Sequence, residues 1–249
     1  IIGGLIEQGY HPHDITACDP NSDGLKRIQE KWGIRTETDN RIPSATSDVI
    51  VLAVKPQVLK VVTLALRDVI FSRQQKPMII SIAAGISCEH IEQWLDTDIA
   101  VVRCMPNTPS LVGQGASGLY ANKTTSEEQK AVAEKLMRAV GYATWVAEES
   151  LINAVTAISG SAPAYFFLLM EAMIDSGVKQ GLDRESATQL TLQTAMGAAT
   201  LAKNSDVNID ELRRRITSPG GTTEQAILSF ENDGLRSIVN DAMQRCADR

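Results

Sequence analysis

Cysteine is scarce in this chain. Its 249 residues hold four, Cys18, Cys88, Cys104 and Cys246, far apart and with no C-x-x-C pair. That excludes a disulfide-stapled scaffold and supplies no zinc framework. Histidine is equally sparse: His11 and His13 flank Pro12, and His90 stands alone. None has carboxylate or cysteine neighbours at ligand spacing, so no metal site is expected. There is no Ser-His-Asp order and no nucleophile elbow, so the chemistry is expected from a bound cofactor and hydrogen-bonding groups. Charge of one sign never accumulates. Lys and Arg total 24 against 30 Asp and Glu, a formal charge of -6, which gives no electrostatic argument for nucleic acid or a membrane surface. Tandem repeats, low-complexity tracts, a signal peptide and a long Gly/Ser linker are missing, and no apolar stretch reads as long and clean enough to span a bilayer. With reduced thiols, these absences point to a cytoplasmic protein. The opening Ile1 to Tyr10 has no Met and reads as the back half of a helix closing at Gly9, so a preceding segment is expected.

What is present is apolar material in a strand-helix rhythm. Hydrophobic residues make up 43% of the chain, enough for a substantial core in one or two domains. Asp14 to Asp19 reads as a short strand, Leu25 to Trp32 as a helix stopped at Gly33, and Asp48 to Val54 as a continuous apolar run suited to a strand buried on both faces. Val58 to Val69, Met78 to Ile82, His90 to Leu95 and Ile99 to Arg103 continue as helix, strand, helix, strand. The pattern predicts an α/β fold with a Rossmann-like doubly wound sheet. Around Trp145 the texture changes, and 151–249 is expected to be all-helical, a dimerisation and substrate domain. The predicted border lies between 1–147 and 148–249. Pro163 to Val178 and Arg184 to Ala202 are its long helices. The first is apolar nearly all round, so it should be buried on more than one side, which implies a partner subunit.

Several segments have the composition of binding loops. Ala53-Val54-Lys55-Pro56 places a cation and a helix-starting proline beyond the carboxyl end of a strand, where open α/β sheets bind ligands. On those four residues alone, a solvated loop explains Lys55 better. Met105-Pro106-Asn107-Thr108-Pro109 is a stiffened polar loop, for which a plain turn is an equal explanation. Ser81-Ile82-Ala83-Ala84-Gly85 ends a third strand in small residues that let a flat ring or sugar approach. Three such strand ends favour a pocket. Asp19, closing its strand, either accepts hydrogen bonds from a ribose and repels a 2′-phosphate or merely caps a turn. The fullest local pattern is Thr217-Ser218-Pro219-Gly220-Gly221-Thr222-Thr223-Glu224-Gln225. Thr222 and Gln225 have capping-box spacing, and the paired glycines let backbone N–H groups converge at a helix start, a place for a carboxylate or phosphate.

Ala53-Val54-Lys55-Pro56, Met105 to Pro109, Ser159-Gly160-Ser161-Ala162-Pro163-Ala164-Tyr165, Gly177 to Leu182 and Ser218 to Thr223 together, in order and spacing along almost the whole chain, closely resemble the pyrroline-5-carboxylate reductases. The resemblance implies reduction of L-Δ1-pyrroline-5-carboxylate to L-proline, the last step of proline biosynthesis, with NADPH or NADH. It implies that the substrate carboxylate rests on Ser218, Gly220, Gly221 and Thr222 while Thr223 reaches the ring nitrogen as the catalytic group. Cofactor contacts would fall on Asp19, Asn40, Ala53, Val54, Lys55, Pro56, Ala83 and Asn107. Asp19 stands where relatives often carry a small hydroxyl residue, which favours NADH. The family's glycine-rich turn is not in this sequence, and about 15 residues of strand and turn are expected before Ile1. The resemblance further implies a homodimer, extending to a decamer as a ring of dimers, with the active site between one subunit's Rossmann-like domain and its partner's helices. The alternatives are a two-domain β-hydroxyacid-type reductase, for which Lys179 is the one candidate acid, and a non-catalytic dinucleotide-binding sensor.

Overall fold

All 249 residues are described by the computed structural model, and they divide into two units, Ile1–Gly160 and Ser161–Arg249. In the first unit, α1 (Ile2–Glu7) closes before Gly9, and β1 (Thr16–Cys18), α2 (Ser22–Trp32) and β2 (Arg35–Glu37) follow. The Asn21 side chain starts α2 by accepting the Gly24 N–H at 3.1 Å. Next come α3 (Arg41–Ser44), β3 (Val49–Leu52), α4 (Pro56–Phe71), β4 (Met78–Ser81), α5 (Cys88–Leu95) and β5 (Val101–Met105). The unit ends with β6 (Gly115–Ala121), α6 (Glu127–Arg138), β7 (Gly141–Trp145), α7 (Leu151–Val155) and a π turn over Thr156–Gly160.

The strands form a two-stranded parallel sheet, β1-β2, and a five-stranded sheet in the order β3-β4-β5-β6-β7. The larger sheet is parallel except between β5 and β6. Its core is built on both faces, as period-two alternation requires. Ile79 of β4 and Val101 of β5 pack with Leu59, Leu66 and Ile70 of α4 and Ile91 and Leu95 of α5. Their neighbours Met78, Ile80, Val102 and Cys104 face the opposite way, against Leu119 and against Ala133 and Met137 of α6. This is the doubly wound arrangement expected from the apolar runs.

Two sequence expectations need correction here. The run at β3 reads as a strand buried on both faces, yet only Leu52 is buried and Val51 is 37% exposed, because β3 is the edge strand of its sheet. The strand buried throughout is β4. The elements between Arg103 and Trp145 escaped prediction because β6, Gly-Ala-Ser-Gly-Leu-Tyr-Ala, is poor in the β-branched residues that signal a strand. By packing, the two compact units divide between Gly160 and Ser161. Residues 148–160 stay with the sheet because α7 and the π turn pack on β6, and because Glu149 reaches the Cys88 N–H at 2.8 Å and the Arg103 guanidinium at 3.3 Å.

The second unit is all-helical, as expected: α8 (Ala162–Lys179), α9 (Arg184–Lys203), α10 (Ile209–Arg215), α11 (Thr222–Asn232) and α12 (Leu235–Ala247). Asp183 caps α9 through the Ser186 N–H at 2.9 Å, and Gly177 of α8 lies against Ala187 of α9. Only Ala162, Ala187 and Thr191 are buried in this unit. The expectation that α8 is buried on several sides is therefore not met within the chain: Phe166 is 61% and Leu168 68% exposed, because no element of the same chain covers them. The segment Leu151–Lys179 is long and apolar enough to cross a membrane by length and composition, contrary to the sequence reading.

The antiparallel-to-parallel corner at β6 and β7 turns on Gly141, at φ 148°, where an added Cβ would collide with the Gly115 backbone paired to it. Gly141→Ala should destabilise the protein by about 2–4 kcal/mol, read as a lower urea midpoint. An unchanged midpoint would mean that the β6–β7 pairing is looser than this geometry.

Candidate active site

Because β3, β4 and β5 run parallel, their carboxyl ends open at one sheet edge. The Ala53-Val54-Lys55-Pro56 segment, Ala83 and Asn107 therefore follow the carboxyl ends of three adjacent strands. Pro56 is the first residue of α4, and the preceding Lys55 makes no side-chain cap, so the first N–H groups of a 16-residue helix are left for a ligand. Lys55 is exposed and Val54 packs against the core beneath. Ala83 is buried, and Ala84 and Gly85 beside it are exposed, so the backbone there is open to a flat group.

Asn107 is placed at this edge, but its amide is already engaged. Its Oδ1 accepts the Ala116 N–H at 2.9 Å and its Nδ2 donates to the Ser159 carbonyl at 3.0 Å. The side chain thus ties the end of β5 to the start of β6 and to the π turn. One Nδ2 hydrogen remains for a ligand.

Asp19 and Asn40 form a second group, at the ends of β1 and β2, and no backbone pairing joins their sheet to the larger one. The exposed Asp19 carboxylate accepts the Asn21 N–H at 2.8 Å, the turn alternative of the sequence reading, and keeps its other oxygen outward. Asn40 precedes α3 without using its side chain as a cap. The surroundings are acidic. Asp39 is held down to about 2 by hydrogen bonds from Arg41, which it pairs with at 2.6 Å. The Cys18 thiol is pushed up by burial and then by the Glu37 and Asp39 carboxylates. A cofactor phosphate placed here meets negative charge, with Arg41 already paired.

In the second unit, the Ser218–Thr223 loop is realised with one change of register. Thr222 is the first helical residue of α11 and Gly221 its cap, without a side-chain cap bond, so the expected Thr222–Gln225 capping box does not form. The pair that occupies the analogous positions is Gly221 and Glu224, and a glycine cap has no oxygen to offer. Instead Glu224 Oε2 accepts the Gly220 N–H at 2.8 Å, and the Gly221 N–H donates to the Ser218 carbonyl at 3.0 Å. Gly220 sits at φ 71°, which a side chain would resist. Ser218, Thr222 and Thr223 are exposed, so three hydroxyls and the first-turn N–H groups of α11 surround the helix start. Lys179, the acid of the rival reading, is an exposed residue at the last position of α8.

Glu224 and Glu149 are the side chains that sequence reasoning passed over. Glu224 had a signal, an acid three residues beyond a helix cap. Glu149 had none, since its partners Cys88 and Arg103 are distant in sequence. No cysteine supplies a nucleophile in the first unit's core: burial pushes Cys88 and Cys104 up to about 12. A thiol reagent at pH 8 should leave both unmodified in the folded protein and label both in denaturant, read by mass spectrometry. Labelling of either in the native state would contradict their burial.

Comparison with known proteins yields two family models: one for pyrroline-5-carboxylate reductase dimerisation over residues 149–249, and one described as NADP oxidoreductase, coenzyme F420-dependent, over residues 1–85. A curated pyrroline-5-carboxylate reductase of Pseudomonas aeruginosa is 50% identical over all of this chain and 90% of its own length. The solved structure of a pyrroline-5-carboxylate reductase from Coxiella burnetii superposes with a TM-score of 0.95 at 43% identity, covering 100% of this chain and 91% of that one. The pyrroline carboxylate reductase of Plasmodium falciparum, solved with NADP bound, gives 0.85 at 28% identity, over 98% of this chain and 89% of its own.

Proposed function

Since the chain belongs to the pyrroline-5-carboxylate reductase family, and so reduces pyrroline-5-carboxylate to proline with NAD(P)H as an oligomeric oxidoreductase, we propose how its own residues share that work. Cofactor binding falls to Asp19, Asn40, Ala53, Val54, Lys55, Pro56, Ala83 and Asn107, and substrate binding to the loop at Ser218, Gly220, Gly221, Thr222 and Thr223. The uncapped start of α4 suits a phosphate, and the small residues at Ala83 suit a flat ring. When bound, the reduced nicotinamide supplies a hydride to the imine carbon.

The observation that carries the substrate assignment is the start of α11, where a glycine cap leaves first-turn N–H groups free beside the exposed Ser218, Thr222 and Thr223 hydroxyls. A carboxylate is stabilised there by N–H donors and the helix dipole. Gly220 and Gly221 contribute through conformation, because their own N–H groups are used inside the turn. Thr223 donates its hydroxyl to the ring nitrogen, where electron density collects as the C=N bond is reduced. Thr223→Ala should lower kcat by about 100-fold, within the range for one preorganised donor. Steady-state oxidation of the nicotinamide measures this, and an unchanged kcat would remove Thr223 from the reaction.

Asp19 sets a preference for NADH, since its carboxylate accepts ribose hydroxyls and repels a 2′-phosphate, and Glu37 and Asp39 add to the repulsion. Asp19→Ser should move the NADPH-to-NADH ratio of kcat/KM toward NADPH by about tenfold. An unmoved ratio would show that specificity is decided elsewhere. The functional unit is a homodimer formed by the apolar face of α8, with a decameric ring of dimers as the next level of assembly, working in the cytoplasm.

A further inference from the structure

The loop that receives the substrate already contains a carboxylate. Glu224, half-buried on the first turn of α11, turns back along the helix axis and accepts the Gly220 N–H at 2.8 Å. Gly220 is the residue held at φ 71°, and the neighbouring Gly221 N–H is spent on the Ser218 carbonyl at 3.0 Å. Both glycine amides are thereby satisfied within the turn. The donors left facing outward are the first-turn N–H groups of Thr222 and Thr223 and the Ser218 hydroxyl.

We propose that Glu224 is a positioning residue for substrate binding, a strut whose carboxylate pins the Gly220 N–H and so fixes the Ser218–Gly221 turn in the shape that presents the Thr222 and Thr223 donors. This rests on the reading that the loop binds the substrate carboxylate. Without the strut, a glycine pair has wide conformational freedom, and the substrate must order the loop as it binds. Direct competition for the same N–H would bring two like charges into one turn. Binding at Thr222 and Thr223 avoids that, because the substrate carboxylate and Glu224 then use different donors. An acid in the first turn also favours the helix itself, so the test must separate that effect from the strut.

Three substitutions in the intact enzyme make the separation. Glu224→Ala removes the acceptor. Glu224→Asp keeps a first-turn charge but is one methylene too short to reach the Gly220 N–H. Glu224→Gln keeps an acceptor of the same length without the charge. The expected result is a KM for pyrroline-5-carboxylate raised roughly tenfold in the Ala and Asp variants, with kcat and the KM for NADH changed less than about twofold, and substantial recovery of substrate KM in Gln. A lower KM in both Ala and Gln would identify Glu224 as a competitor of the substrate and overturn the proposal. An unchanged KM in Ala and Asp would overturn it too, while Ser218→Ala and Thr223→Ala, measured alongside, would still show whether the loop binds substrate. If those two are also silent, the loop reading itself fails.

Discussion

The helical unit has almost no core of its own, and the rest of the protein's behaviour depends on how that is resolved. Its buried residues are Ala162, Ala187 and Thr191, none larger than a threonine, whereas Phe166, Phe167, Leu168 and Leu169 on successive positions of α8 are exposed. Successive residues point in different directions round a helix, so no single intrachain neighbour covers them all. Exposed apolar surface of that kind, in a region that matches a dimerisation domain, supports the proposal that α8 lies at an interface. The apolar composition of Leu151–Lys179 would also suit a membrane span, and association of subunits is a use for it that needs no bilayer.

The sheet unit presents the opposite situation. Both faces of β4 and β5 are filled by α4, α5 and α6, so this unit carries its own core and can hold a cofactor edge rigidly. Its partly buried ion pair, Arg103 with Glu149, fastens the segment that leads toward the second unit. Asn107 does a similar task at the sheet edge, using both ends of its amide to join β5, β6 and the π turn. The chemistry is correspondingly divided. Strand ends and an uncapped helix start in one unit offer the features of a dinucleotide site, while a glycine turn in the other offers donors for a small carboxylate.

Much of this was legible in the sequence because it rests on local rules. Short apolar segments alternating with helical ones marked β4 and β5. The helices from α8 onward followed from the loss of alternation after Trp145, and the loop at Ser218–Thr223 from its glycines and hydroxyls. What was not legible depends on neighbours. Whether β3 is central or at an edge is a property of the sheet, not of Val49–Leu52. The β6 strand carries little propensity and is held by pairing on both sides, β5 and β7. That Glu149 and α7 pack on the sheet unit was likewise hidden, because their partners lie far away in sequence. The capping box failed by one register because the helix begins after Gly221, a boundary that composition alone does not resolve.

The most direct test of this account is urea unfolding followed by far-ultraviolet circular dichroism over a hundredfold range of protein concentration. If the helical unit is completed by a second copy, the transition in which it unfolds must move to higher urea as concentration rises, because dissociation and unfolding are linked. A midpoint independent of concentration, with the protein sedimenting as a monomer throughout, would contradict the claim that α8 is an interface and leave its exposed apolar face without a partner.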